Sequence, residues 1–370
     1  MKIVVLANAS WNIYNYRLPL IMALKEAGHE VILLAPVDEY AVQLEEEGFS
    51  WTDLHLTRRG INPLVELGSI YLIYRFYKRE QPDIVQHFTP KAVIYGSIAA
   101  HFARVKKIVN TITGLGYVFS GMSPGKKILQ FIVRILYRAA LSNTRVLFQN
   151  MEDMQNLVNL DGGKKENFFL LGGSGVNFSK FKVTAEPEGK PVVLLAARLI
   201  EEKGVNYFVD ASRMLKLQGL AARFVLVGSP DKNRQDTVTA VKLRQWVSEG
   251  VIEWWGWRND MEQVYPQAHI VCLPTYYGEG VPKSLIEAAA CARPIVATDI
   301  PGCRKVVRNG ENGLLVPIKD ALALAEAIKK LLNDKSMRKK MGVRSREIAE
   351  IEFSSKQNIT NYFSAYDLPT

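Results

Sequence analysis

Twice in this chain a short apolar run leads into a loop, a helix-forming stretch closed by glycine, and a second apolar run. The first instance takes residues 3–7, the loop 8–12, a helical stretch from about 14 to 27 stopped by Gly28, and residues 31–35. The second takes residues 192–197, the loop 198–204, a helical stretch from about 205 to 217 stopped by Gly219, and residues 223–228. Apolar runs this short and continuous fit strands buried on both faces, as in a parallel sheet covered by helices. Each instance therefore opens a βαβ unit, and the expected fold is α/β, with two Rossmann-like doubly wound domains. A length of 370 residues suits two domains of common size. The polar, Pro- and Gly-containing segment 184–190 is the expected linker. The expected domains are 1–183 and 184–352, with a closing helix in 353–370 packing back on the first. Further strands are expected at 82–87 and 107–111. Ligand sites form at the C-terminal ends of such strands, so His87 and Thr113 are placed to line a cleft between the domains. A lone histidine at a strand end is more often a hydrogen-bonded structural residue than a catalyst.

A third strand-to-helix passage carries the chemistry. The apolar run 270–274 leads into Gly278, Glu279 and Gly280, then Val281, Pro282, Lys283 and Ser284 open a compact run of helix formers. Pro282 suits a first helical position, and the two glycines let the backbone approach a ligand closely. Strand, glycine loop and helix start together aim backbone N–H groups and a positive helix end at the loop, a setting for an anion such as phosphate. Glu279 sits at the lip. Glu287, inside the helix, can accept hydrogen bonds from vicinal hydroxyls such as those of a ribose. On spacing alone, an ordinary turn with two solvated carboxylates is the simpler reading.

Charge is uneven. The net charge is +10, and from residue 84 to 150 there is no Asp or Glu against nine Lys or Arg. Within that segment residues 126–138 interleave basic and apolar side chains at helical spacing. A helix lying on an anionic membrane surface and a core-packed helix with a solvated basic edge fit this pattern equally. Nucleic acid ranks last as a partner, because no DNA- or RNA-binding motif accompanies the charge. Three cysteines, Cys272, Cys291 and Cys303, are odd in number and lack metal-type spacing, which argues for a reducing compartment. No signal peptide or bilayer-spanning stretch is legible, so a cytoplasmic location is expected, peripherally associated with the inner face of the cytoplasmic membrane.

Glu279 and Glu287 match the paired-glutamate signature of retaining family 4 glycosyltransferases of the GT-B fold, and the chain resembles that family over nearly its whole length. Leu273 to Ala288, Arg293 to Thr298, Gly310 to Pro317, and the pattern holding Arg198 and Lys203 carry the similarity. In the N-terminal half, residues 13–19 and 113–119 are similar to enzymes that extend lipid-linked oligosaccharides in bacterial surface glycan assembly. Many relatives have a histidine where this chain has Thr113, so no protein general base is assigned.

The resemblance implies a retaining glycosyltransferase moving a hexose or N-acetylhexosamine from a nucleotide sugar, a UDP-sugar by preference, to a lipid-linked saccharide. It implies that Arg198 and Lys203 hold the donor diphosphate, Glu287 the ribose, and Glu279 the sugar hydroxyls. Gly280, Val281, Pro282, Lys283 and Ser284 would complete the donor site, and for Trp257 and Arg258 facing the base and packing at a strand end fit equally. Trp11, Asn12, Arg17, His87 and Thr113 are the acceptor-side candidates. No Asp-x-Asp triplet occurs and no residue cluster has metal-ligand spacing, so neither a cofactor nor a metal is expected. A nucleotide-sugar epimerase of similar fold, a transferase for a soluble acceptor, and a non-catalytic sugar- or membrane-binding protein are the competing readings.

Overall fold

The structure is a computed structural model. It describes every residue except 55, 57–61, 115–123, 159–164, 232–233, 277, 279 and 370, and only the backbone of 63, 124–129 and 165. The chain forms two compact units, Met1–Ser174 with Ser355–Thr370, and Gly175–Ser354.

The first unit alternates strand and helix: β1 (Lys2–Leu6), α1 (Ser10–Glu26), β2 (Glu30–Ala35), α2 (Tyr40–Glu46), β3 (Ser50–Asp53) and α3 (Pro63–Glu80). It continues through β4 (Ile84–Phe88), α4 (Pro90–Ala103), β5 (Lys107–Ile112), α5 (Pro124–Leu141), β6 (Arg145–Phe148), α6 (Met151–Val158) and β7 (Phe168–Leu170). The second unit holds β8 (Val192–Ala196), α7 (Val205–Leu217), β9 (Arg223–Val227), α8 (Ala240–Ser248), β10 (Glu253–Trp254), α9 (Met261–Val264) and β11 (Ile270–Leu273). It ends with α10 (Lys283–Ala290), β12 (Ile295–Thr298), α11 (Pro301–Val306), β13 (Gly313–Val316), α12 (Ala321–Asn333) and α13 (Lys335–Glu352), and α14 (Ser355–Tyr366) returns to the first unit.

Strand order is β3-β2-β1-β4-β5-β6-β7 in one sheet and β10-β9-β8-β11-β12-β13 in the other. The recorded strand pairs are all parallel. Both sheets follow the Rossmann order, in which the winding reverses beside the first strand and opens a ligand crevice at that switch point. The crevices lie beyond β1 and β4 in the first unit, and beyond β8 and β11 in the second.

Two expectations shift. The first-unit helix begins at Ser10, not near residue 14, because Asp38 caps it from outside: its carboxylate accepts from the Trp11 amide at 2.9 Å. Trp11 and Asn12 therefore stand in the opening turn of α1. The boundary between units falls at 174/175, ahead of the expected 183/184. The segment between belongs to the second unit: Val176 N–H donates to Phe353 at 2.8 Å, and Phe181 lies in that unit's core. Thr184 and Glu186 in the expected linker are likewise pinned to it by Arg293 and Arg338. Helix α14 packs Tyr362, Phe363 and Tyr366 into the core of the first unit, where 353–370 was expected to return.

Candidate functional site

At the switch point of the second sheet, the loop after β8 meets the segment after β11. A single 3-10 turn, Glu201–Lys203, ends at Gly204, whose φ of +76° suits glycine and whose α-hydrogen side faces the Pro274 carbonyl so closely that a Cβ would overlap it. The carbonyl of Glu202 accepts from both Thr275 Oγ1 (2.9 Å) and the Tyr276 amide (3.0 Å). Beneath, the Glu202 carboxylate pairs with Arg234, which also bonds Asp236 at 2.5 Å. The loop bearing Lys203 is thus stitched to the strand end that leads into residues 276–280. Arg198 stands on the same loop, 47% exposed, with Nη1 donating to Asp231 at 3.1 Å. A surface pair of this kind contributes about 0–1 kcal/mol, so it positions the guanidinium without preventing its transfer to a bound anion.

Helix α10 leaves the same edge. Pro282 is its N-cap (φ −65°, ψ 118°) and Lys283 its first residue, one position later than expected, because the proline carbonyl already accepts from the Leu285 and Ile286 amides. Gly280, Val281 and Pro282 are buried, while Lys283 and Ser284 are half-buried. Glu287 is buried on this helix. Its Oε2 accepts from the Tyr265 hydroxyl at 3.2 Å, and Lys283 Nζ stands 3.6 Å from Oε1. Burial pushes its carboxyl above the ordinary carboxylate range, and Lys283 and Tyr265 act against that shift. A carboxylate offers roughly four lone-pair directions, so this one retains acceptor capacity for ligand hydroxyls. Glu279 lies outside the described residues. Among the described residues, no group of three or more His, Cys, Asp or Glu is placed to hold a metal ion.

Trp257 and Arg258 follow the edge strand β10, two places from β8. Trp257 is exposed, and Arg258 forks onto Asp260 at 2.6 and 2.5 Å, so these residues share the sheet edge with Arg198 but are anchored separately from it.

In the first unit His87 is corrected. It was expected to line a cleft, yet it is fully buried, with Nε2 bonded to the Tyr77 hydroxyl at 2.9 Å and Nδ1 to Asn110 Oδ1 at 2.8 Å. Burial lowers its pKa to about 4, with the Asn110 bond acting in the opposite direction. It is a neutral structural hub, packed so tightly that a Cβ on Gly96 would collide with its ring. Thr113 is half-buried at the end of β5, and the stretch 115–119 of its motif lies outside the described residues. Trp11 packs edge-on against Tyr16 at 5.3 Å, and Arg17 is buried with its guanidinium 4.3 Å from the centre of the Phe88 ring. Sequence reasoning missed Tyr265, Asp231 and the Glu202–Arg234–Asp236 cluster. Asp231 and Tyr265 contact partners 33 and 22 residues away, and no local pattern announces such pairs.

Two Rossmann-ordered sheets are the architecture of the GT-B fold, and a cationic loop and a buried helix carboxylate stand at the second switch point. The comparisons agree: a solved structure of Anabaena Alr3699/HepE in complex with UDP superposes with a TM-score of 0.77, at 20% identity over 99% of this chain and 100% of that one. Residues 2–150 match the family model described as glycosyl transferase 4-like, and residues 190–334 the one described as glycosyl transferases group 1. Between them these two glycosyltransferase models span most of the chain. Among its curated relatives is the N,N'-diacetylbacillosaminyl-diphospho-undecaprenol alpha-1,3-N-acetylgalactosaminyltransferase of Campylobacter jejuni, 29% identical over 99% of this chain and 98% of that protein. Another is the UDP-Gal:alpha-D-GlcNAc-diphosphoundecaprenol alpha-1,3-galactosyltransferase of Escherichia coli, 25% identical over 75% of this chain and 73% of that protein.

Proposed function

We propose that this protein is a retaining glycosyltransferase that moves a hexose or N-acetylhexosamine from a UDP-sugar to a saccharide carried on a polyprenyl diphosphate. The observation that carries the reading is the stitching of the Arg198–Lys203 loop to the strand end before Glu279, beside the buried Glu287. Arg198 and Lys203 take the donor diphosphate, whose oxygens gain charge as the glycosidic bond breaks; a planar fork and a compact ammonium serve that charge in complementary ways. Glu287, held by Tyr265, accepts from the ribose hydroxyls. Glu279 orients the sugar. The acceptor hydroxyl passes its proton to the departing phosphate on the same face, which retains the anomeric configuration. With fixed cations offsetting the leaving-group charge, transfer proceeds in excess EDTA.

The polyprenyl acceptor places the protein at a membrane. Among the described residues no helix is long and apolar enough to cross one. Helix α5 buries Tyr137, Ala140 and Leu141 against its unit, so the core-packing reading holds for one face. Its other face exposes Phe131 (65%), Ile132 and Ile135 alongside exposed Arg134 and Arg138. That face suits a monolayer of anionic lipid on the cytoplasmic side. The test is flotation with vesicles: binding to anionic vesicles that weakens with salt and is lost in the Arg134→Glu, Arg138→Glu double variant supports the reading, and equal binding to neutral vesicles contradicts it.

A further inference from the structure

The switch point of the first sheet holds a group of buried polar atoms that the fold leaves without partners. Arg17, on α1, is 3% exposed, and its Nε has no hydrogen-bond partner. Its guanidinium lies face-on to Phe88, the last residue of β4, and its charge also acts on the buried Tyr362 and Tyr366 hydroxyls, but no carboxylate pairs with it among the described residues. Thr89, the next residue, is buried with its Oγ1 likewise unpartnered. In the opening turn of α1, Asn12 Oδ1 is a third such atom.

These residues belong to the two elements that leave β1 and β4, the strands between which the winding reverses. Side chains on a helix lean toward its N-terminus, so Arg17 reaches back toward the C-terminal edge of the sheet. Thr89 is held at φ +76°, a region a β-branched residue rarely enters, and it caps a helix of 14 residues with no acid in its first turn. The positive end of α4 repels a cation and attracts an anion. A face-on aromatic contact offsets only part of what a guanidinium loses on leaving water, and an unpaired buried charge is strongly unfavourable. Packing therefore does not account for an arginine here; a leucine or methionine would fill the space at lower cost.

We propose that Arg17 and Thr89 form a phosphate-oxygen subsite in the first unit, and that it takes the diphosphate of the lipid-linked acceptor. Arg17 supplies the fork, the Thr89 hydroxyl donates to a neighbouring oxygen, and Asn12 accepts from a hydroxyl of the adjoining sugar. The identity of the acceptor rests on the function proposed above; the anion chemistry does not.

The experiment compares the parent with Arg17→Met and Thr89→Val. Thermal unfolding is followed with and without inorganic pyrophosphate, in saturating UDP so that the donor site is filled. Transfer is measured to a saccharide on a polyprenyl diphosphate and to the same saccharide on a neutral alkyl glycoside. Arg17→Met is expected to unfold no earlier than the parent, since it removes an unpaired buried charge. It should lose the pyrophosphate-dependent rise in melting temperature, and raise KM for the diphosphate acceptor about tenfold or more, the loss expected of one charge-assisted contact. Donor KM should stay unchanged, and transfer to the neutral acceptor should fall much less than transfer to the diphosphate acceptor. Thr89→Val should show the same pattern, smaller. A lowered melting temperature with equal losses on both acceptors would assign Arg17 a structural role and overturn the proposal, as would a pyrophosphate response that survives in Arg17→Met. A change in donor KM alone would give the anion to the donor instead. If even the parent transfers to neither acceptor, the proposed function fails, and the pyrophosphate arm still decides the subsite.

Discussion

His87 and Glu287 are both buried ionisable residues close to a sheet's C-terminal edge, and the two units treat them in opposite ways. Around His87 the first unit closes a complete network: Tyr77 and Asn110 take its two ring nitrogens, and Ser97 bonds Asn110 at 3.0 Å. The network extends through Thr144, which accepts from Asn110 Nδ2, while Gln86 links Thr111 to Tyr366. Around Glu287 the second unit supplies one hydroxyl and one ammonium, and the carboxylate keeps room to accept more. Burial with every bond made marks a residue that holds the fold; burial with capacity left over marks one that waits for a ligand.

The comparison is broken most severely at the open site. Arg198→Ala and Lys203→Ala should each lower kcat/KM by about 10²–10³, the usual loss when a donor aimed at developing charge is removed, with the melting temperature nearly unchanged. Glu279→Gln should act similarly. Steady-state kinetics beside thermal unfolding check this, and parental rates in all three variants would void the site assignment.

The closed site should respond in stability and not in turnover. The folded His87 pKa, about 4, lies below the ordinary value of 6.5. The unfolded chain therefore binds the proton first as pH falls. The stability that neutral His87 provides is complete above about pH 6.5 and is lost progressively down to about pH 4, roughly 3 kcal/mol in all. Urea unfolding across that window should show the slope in the parent and a flatter profile in His87→Gln. Identical profiles would mean that other groups set the acid sensitivity.

The smallest effect sharpens the comparison. Tyr265→Phe removes one hydrogen bond from Glu287, about 1 kcal/mol or roughly a fivefold rise in donor KM, with kcat little changed. A donor lacking the ribose hydroxyls should erase the difference between variant and parent. An equal penalty on both donors would show Tyr265 acting on the fold and not through Glu287.

Much of the architecture was legible because it is written locally. The buried strands are apolar without alternation, glycines stop the helices, and α7 begins and ends where its pattern does. The loop after β8 and the start of α10 were legible for the same reason, since Arg198 and Lys203 follow their strand directly and Glu287 lies on the helix that follows β11. What was not legible is direction. In a strand buried on both faces, periodicity does not say whether His87 turns inward, and position on a helix did not reveal that Arg17 is buried with its Nε lacking a hydrogen-bond partner. Tyr77 and Asn110, which decide the fate of His87, come from α3 and β5, and their meeting is a product of tertiary packing.

The proposed reaction is transfer of a sugar with retention onto a diphosphate-linked saccharide. Its most direct measurement incubates the protein with a panel of UDP- and GDP-sugars, a short polyprenyl-diphosphate saccharide and excess EDTA, and analyses the product by mass spectrometry and anomeric NMR. The expected product is an acceptor heavier by one sugar residue from a UDP-sugar, with the anomeric configuration of the donor preserved. An inverted linkage, or a donor isomerised while the acceptor stays intact, would contradict it.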